Sequence, residues 1–173
     1  GDSHHILGTD RLGRDVLARL IMGGRKSLTI AAISIVVSSV LGTTLGLLAG
    51  YYGRYVDALL MRLVDLSLAL PAILLALVFA VALGPSEWWV VVVLVIIRWS
   101  HFARLARGET LALKERDFVA LARVAGAPVW RIIGVHIFPN LVNSMVVLAT
   151  LHIGSAIIVE ATLSFLGAGV PPP

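Results

Sequence analysis

Cysteine is absent from the 173 residues, which excludes a disulfide framework and thiolate chemistry. Charge is scarce as well. Asp, Glu, Lys and Arg make up 14% of the chain, against about a quarter in an average soluble domain. Among these few groups no Ser-His-Asp, Cys-His or paired-carboxylate set occurs at a spacing that supports catalysis, so an enzyme is not expected. A phosphate loop is missing too. The stretch GGRKS (23–27) ends in Lys-Ser, but the nucleotide-binding pattern needs Gly where Leu20 and Arg25 stand. The chain is therefore not expected to bind ATP itself. His4 and His5 are adjacent, a poor spacing for one metal ion, and no third ligand is near, so no metal site is expected. The chain opens on Gly1 with polar residues and shows no signal peptide, and the expectation is a fragment or trimmed product.

What is abundant is apolar surface. Hydrophobic residues are 58% of the chain and the mean hydropathy is +0.95. A soluble fold of this size cannot hide so much, because a large share of a small domain's area stays wet; a helical bundle in lipid has no such limit. The net charge is +4, and the basic residues cluster between apolar runs. That pattern fits cytoplasmic membrane loops rather than a nucleic-acid face.

About 20 apolar residues cross a bilayer as a helix. Ser27 to Gly53 carries no charge, predicting a span at 28–50. Leu66 to Ser86 is also uncharged, predicting a span at 64–84, kinked at Pro71 and closed by a Gly84-Pro85 turn. A third span is expected at 88–106, anchored at the interface by Trp88 and Trp89 and interrupted by Arg98. A fourth, at 140–159, lies within the run from Ile132 to Val159. Lys and Arg number two in the 51–63 loop and seven in the 98–138 segment, against five ahead of the first span. The richer side belongs in the cytoplasm. In the first span Ser34, Ser38, Gly42, Gly46 and Gly50 recur every fourth residue, a smooth strip for close approach of another helix whose identity the sequence leaves open.

Between the third and fourth spans lies a polar stretch, 109–138. Phe118, Leu121, Ala122 and Ala125 fall on one helical face, with Glu115 and Asp117 at its start. Gly126 is placed to close that helix in a left-handed conformation, and Pro128 to open another, with Val129, Ile132, Ile133 and Ile137 on its apolar side. Two short helices with a sharp corner suit either of two roles, an interfacial pair on headgroups or a docking element for a protein groove. Arg98 near mid-membrane needs a partner or water, and His152 within the fourth span is a pore-lining or helix-bonding candidate. Glu160 reads as a solvated helix end or as the outer mouth of a path.

The stretch ARLARGETLALKERDFVALARVAGAPVWRIIGVHIFPN resembles the cytoplasmic coupling loop of permease subunits in ATP-binding-cassette importers. That family carries Glu-Ala-Ala, a Gly after three further residues, and an Ile-x-Pro ending. Gly126, Ile137 and Pro139 match; Ala120 replaces the Glu and Leu121 the first Ala, while Ala122 keeps the second. LGTDRLGRDVLARLIMGGRKSL (7–28) and EATLSFLGAGVPPP (160–173) are similar to hallmarks of the dipeptide, oligopeptide and nickel permeases. The resemblance implies an all-α, polytopic membrane bundle of the type I importer permease (MetI-like) fold, with about four of six usual spans. It places 7–26 outside and 98–138 inside a prokaryotic inner membrane. The stripe Val16, Leu17, Leu20 and Ile21 then lies flat on the outer surface or meets a delivery protein. The implied partners are a paralogous second permease subunit, two ATP-binding-cassette ATPases that hold ATP and Mg, an extracytoplasmic binding protein, and the lipid bilayer. The ATPase joint is expected at Phe118, Val119, Ala122, Gly126, Ala127, Trp130, Arg131 and Ile137. His152, Glu160 and Arg98 are the pore-lining candidates, and Ser38, Gly42, Gly46 and Gly50 the packing strip. The implied cargo is a di- or oligopeptide, with nickel or another small solute as the alternative, and a non-transporting scaffold as the rival class.

Overall fold

The computed structural model describes residues 7–10, 13–83 and 86–165. Within them the chain is a bundle of helices: α1 (Val16–Tyr52), α2 (Arg54–Ala69), α3 (Ala72–Leu83), α4 (Glu87–Leu113), α5 (Asp117–Val124), α6 (Val129–Arg131) and α7 (Phe138–Phe165), with a π-helical stretch Ile132–Ile137 joining the last two. Three helical stretches, Val16–Tyr52, Trp88–Leu113 and Val129–Phe165, are long and apolar enough to cross a membrane.

Helix α1 begins where the Asp15 side chain accepts a hydrogen bond from the Leu17 N–H at 2.9 Å, an N-cap. It ends at Gly53, whose φ of +62° turns the chain into α2. Its 37 residues reach about 55 Å, well beyond a bilayer core. No break separates 16–26 from the apolar run, so this segment projects along the helix axis instead of lying flat across it.

The small-residue strip meets α4 of the same chain. A Cβ built at Gly42 would stand 2.7 Å from the Phe102 Cβ; at Gly46, 2.8 Å from the Ala106 Cβ; at Gly50, 2.7 Å from the Thr110 Cβ. Backbone atoms of Trp99, Ala103 and Arg107 press equally close. Ser34 and Ser38 are buried on the same face, and their hydroxyls donate back to Ile30 and Ser34 carbonyls, which leaves no polar atom unpaired at the seam. The α1–α4 pair is thus the spine of the bundle, with α7 laid against both and α2 bracing α4.

The expected 64–84 span is two helices. Leu70, before Pro71, is extended (φ −83°, ψ +125°), as the proline ring's clash with the preceding residue demands. What was read as a kink is a break, and α3, at 12 residues, covers only about 18 Å. The expected 84–85 turn lies outside the described residues. The fourth span differs in the opposite sense. Pro139 does not end a helix there; the chain is helical from Val129 to Phe165. Proline lacks an N–H and its ring crowds the carbonyl one turn back. The wider π turns just before it loosen that contact and let the helix continue.

Two apolar clusters fill the bundle. One gathers Ile35, Leu47, Phe102, Ala106, Val119, Ile132, Ile137 and Leu141; the other gathers Ile30, Ala76, Val90, Leu94 and Leu163. The first cluster takes side chains from α1, α4, α5, the π stretch and α7 together, so the polar mid-chain loop is built into the core of the spanning helices.

Candidate functional site

Helix α5 starts at Asp117 and stops at Val124. Gly126 then sits at φ +76°. The Ala127 N–H donates to the Ala122 carbonyl at 3.0 Å and the Gly126 N–H to Arg123 at 3.1 Å, a Schellman closure that only a left-handed residue completes without strain. Pro128, extended at ψ +153°, caps α6. The corner expected from Gly-Ala-Pro is therefore present, though its second arm is the start of the long α6–α7 helix and not a separate short one.

The two faces of this corner have opposite destinations. Val119 is fully buried and shares its cluster with Ile132, Ile137, Phe102 and Ala106; Ala122 and Ala127 pack beside it. Phe118 stands half-exposed, its ring 6.4 Å from His136. Leu121, Val124 and Trp130 are 68%, 87% and 73% exposed, and Gly126 and Arg131 are exposed as well. The predicted joint thus divides in two. Val119 and Ile137 are inaccessible to another protein and act as anchors, since both are fully buried in the cluster shared with the spanning helices. Phe118, Trp130 and Arg131 remain on the outer face, and that face also includes Val124, which sequence reasoning passed over. Its signal was present: Val124 follows Leu121 by three residues on the same helix.

Ion pairs hold α2 to the polar half of α4. Asp57 accepts from Arg107 through both carboxylate oxygens, at 2.6 Å for the Nη2–Oδ2 bond and with Nε on Oδ1. The Arg107 hydrogen bond holds the Asp57 carboxyl below its ordinary pKa, against the smaller opposing effect of burial. Arg104 meets Asp65 at 2.6 Å, but both groups are more than half exposed. Lys114 donates to the Gly50 carbonyl at 3.0 Å, closing the end of the α1–α4 seam.

The predicted intramembrane residues are resolved differently. Arg98 is 7% exposed. Its Nη1 donates to His152 Nδ1 at 2.5 Å and to Ser155 Oγ at 2.9 Å, tying α4 to α7. The expectation of Glu160 as a solvated helix end is overturned. Helix α7 runs on to Phe165, which places Glu160 inside it, 6% exposed. Its carboxylate accepts from Ser27 Oγ at 2.7 Å and Ser164 Oγ at 3.1 Å, fastening α7 to α1. Among the described residues no three His, Asp or Glu side chains gather as a metal site. His4 and His5 lie outside the described residues.

The comparisons agree with this architecture. Residues 42–172 match the family described as binding-protein-dependent transport system inner membrane component. The glutathione transport system permease protein GsiD of Pectobacterium atrosepticum is 46% identical over 99% of this chain and 57% of its own length. The di/tripeptide transport system permease protein DppC of Pseudomonas aeruginosa is 43% identical over 100% of this chain and 57% of its own. The dipeptide transport system permease protein DppC of Alkalihalophilus pseudofirmus is 41% identical over 99% and 56%. The chain spans little more than half the length of these relatives. With a match over three quarters of its residues, the chain belongs to the family of binding-protein-dependent transport system inner-membrane components.

Proposed function

We propose that this chain is a permease subunit of an ATP-driven importer for di- and oligopeptides, non-catalytic in itself and embedded as a multi-pass protein in a prokaryotic inner membrane. ATP and Mg are held by two ATPase subunits on the cytoplasmic side. A second, paralogous permease completes the path, and an extracytoplasmic binding protein delivers cargo to the face that carries 7–26. The names of the relatives, which specify di/tripeptide, dipeptide and glutathione, favour a peptide over nickel.

The observation that carries this reading is the two-sided corner. Leu121, Val124 and Trp130 offer an apolar, water-exposed ridge, while Val119 on the opposite face is locked among side chains of the spanning helices. An exposed apolar ridge rimmed by Arg123 and Arg131 suits a groove in a partner protein. Because close-packed cores transmit displacement instead of absorbing it, a shift of α5 moves α4 and α7. A partner that grips the ridge differently in its ATP-bound and ATP-free states then biases the spans between two arrangements.

The test is Leu121→Asp combined with Trp130→Ala in the complete importer. Both side chains are largely exposed, so the unfolding midpoint of the permease stays near that of the unmodified chain. Retention of the ATPase through purification is expected to fall at least tenfold, as for a hot spot of about 1.4 kcal/mol or more, and peptide uptake per ATP with it. Undiminished ATPase retention and uptake would remove the coupling assignment.

A further inference from the structure

The Arg98 cluster has a deficit that no other described side chain shares. A guanidinium N–H only donates, so His152 Nδ1, 2.5 Å from Arg98 Nη1, must be the acceptor. The ring proton of His152 is then on Nε2. That Nε2–H is buried with no hydrogen-bond partner among the described residues, and so is the Nε–H of Arg98. Ser155 offers no relief, since its hydroxyl already accepts from Arg98 and donates to the His152 carbonyl at 3.1 Å. Two buried donors beside a full positive charge thus lack an acceptor, and no salt bridge to Arg98 exists among the described residues.

The neighbouring carboxylates are committed elsewhere. Asp57 holds Arg107, Asp65 holds Arg104, and Glu160 is bonded to Ser27 and Ser164. Glu109 follows Arg98 by eleven residues on α4, about 16 Å along the axis, beyond the reach of an ion pair. A buried cation without a counter-charge is costly in a membrane interior, and each unpaired buried donor adds about 1–3 kcal/mol.

An open groove leads towards it. Leu68, His101, Arg104, Leu105, Gly108 and Glu109 line a cavity of about 580 Å³ along α4. One of its lining residues, His101, is exposed and its ring lies 5.2 Å from that of His152. The groove therefore shares a lining residue with the ring contact of His152. Arg104, the cation that lines the groove, already has Asp65, whereas Arg98, outside the lining, has no carboxylate partner among the described residues.

We propose that Arg98 and His152 form a carboxylate-binding station on the transport path, occupied in transit by the free C-terminal carboxylate of the peptide cargo. The inference rests on the permease reading and adds a chemical preference to it: cargo carrying an anion that can accept from Arg98 Nε–H and His152 Nε2–H is taken up faster than cargo without one. Arg98 gives the charge, His152 the second donor, and Ser155 holds the guanidinium in place. His101 stands at the entrance.

The test uses the complete importer in proteoliposomes with trialanine and trialanine amide, each supplied so that the binding protein is loaded to the same degree. Uptake is expressed as the ratio of variant to unmodified importer for each peptide. Arg98→Gln is expected to lower the trialanine ratio at least tenfold while the amide ratio stays within twofold, with Arg98→Lys recovering part of the loss. His152→Phe, which keeps the ring volume and removes both nitrogens, is expected to raise KM for trialanine several-fold and leave the amide unchanged. It serves as the second variant if Arg98→Gln does not fold. Equal losses for both peptides overturn the proposal and assign Arg98 to holding α4 against α7, or to an acidic side chain of the paired subunit. Unaltered uptake of both overturns it as well. Uptake of trialanine by the unmodified importer tests the permease reading separately from these ratios.

Discussion

Gly46→Ala tests whether the α1–α4 seam is the spine of the bundle. The added Cβ would stand 2.8 Å from the Ala106 Cβ and 3.0 Å from the Arg107 backbone nitrogen, with the Ala103 carbonyl closer still. None of these atoms can rotate away, because two are backbone and the third is a Cβ. The helices must separate by roughly 0.6 Å or more to restore ordinary contact, and a gap of that size forfeits about a quarter to a half of each dispersion contact nearby. Overpacking of this kind costs about 1–3 kcal/mol, and with rigid obstacles the upper end applies: about 3 kcal/mol, near two decades in the unfolding equilibrium. The assay is reversible unfolding of the purified protein in mixed micelles under increasing denaturing detergent, followed by far-ultraviolet circular dichroism. Gly154→Ala is the control. It sits in α7 with no heavy atom within 4 Å of its built Cβ, so it should be neutral or gain up to about 1 kcal/mol from helix propensity. If Gly46→Ala proves as stable as Gly154→Ala, the two helices do not pack through this strip and the described seam is wrong.

Gly126→Ala has room for its methyl group but must hold φ near +76°; the strain of about 1–2 kcal/mol is expected to lower the ratio of peptide uptake to ATP hydrolysis in the complete importer while leaving helix content unchanged. Asp57 has a folded pKa below its unfolded value of about 4. Its stabilising effect is therefore complete above that unfolded value and is lost as pH falls through the lower folded one, so acid unfolding of the wild type steepens below about pH 4, and Asp57→Asn should flatten that limb of a stability-versus-pH curve. Asp65→Asn, by contrast, breaks a pair that is more than half exposed on both sides, and should change the unfolding free energy by less than about 1 kcal/mol.

Much of the fold was legible in the pattern of residues because a membrane leaves few choices. Long uncharged runs must be helices when no water is present to satisfy the backbone, and α1, α4 and α7 contain the runs expected of them. Gly126 was legible for a similar reason, since a helix closure that needs a left-handed residue has one cheap solution. Pro71 was legible as a perturbation but not in kind, and the effect of Pro139 on its helix was not legible. Pro71 breaks a helix and Pro139 does not, and the difference depends on whether neighbouring turns can widen into a π geometry, which is settled by packing. The burial of Val119 over Phe118 was likewise hidden, because both lie within one turn of a short helix and only the shape of the surrounding core selects between them.

What the sequence alone determined is the class of solvent, the helical run lengths, the corner at Gly126 and the strip of small residues, all consequences of local chemistry within a few turns. The tertiary structure decided which surfaces meet: that the strip closes on α4, that Glu160 is buried against Ser27, and that Arg98 reaches a histidine 54 positions away. These are pairings between distant segments, and a one-dimensional pattern carries the requirement for a partner without naming it. A small residue asks for a close neighbour and a buried charge asks for a counterpart; only the arrangement of the whole bundle supplies the neighbour, and at Arg98 it supplies a histidine and a serine but no carboxylate among the described residues.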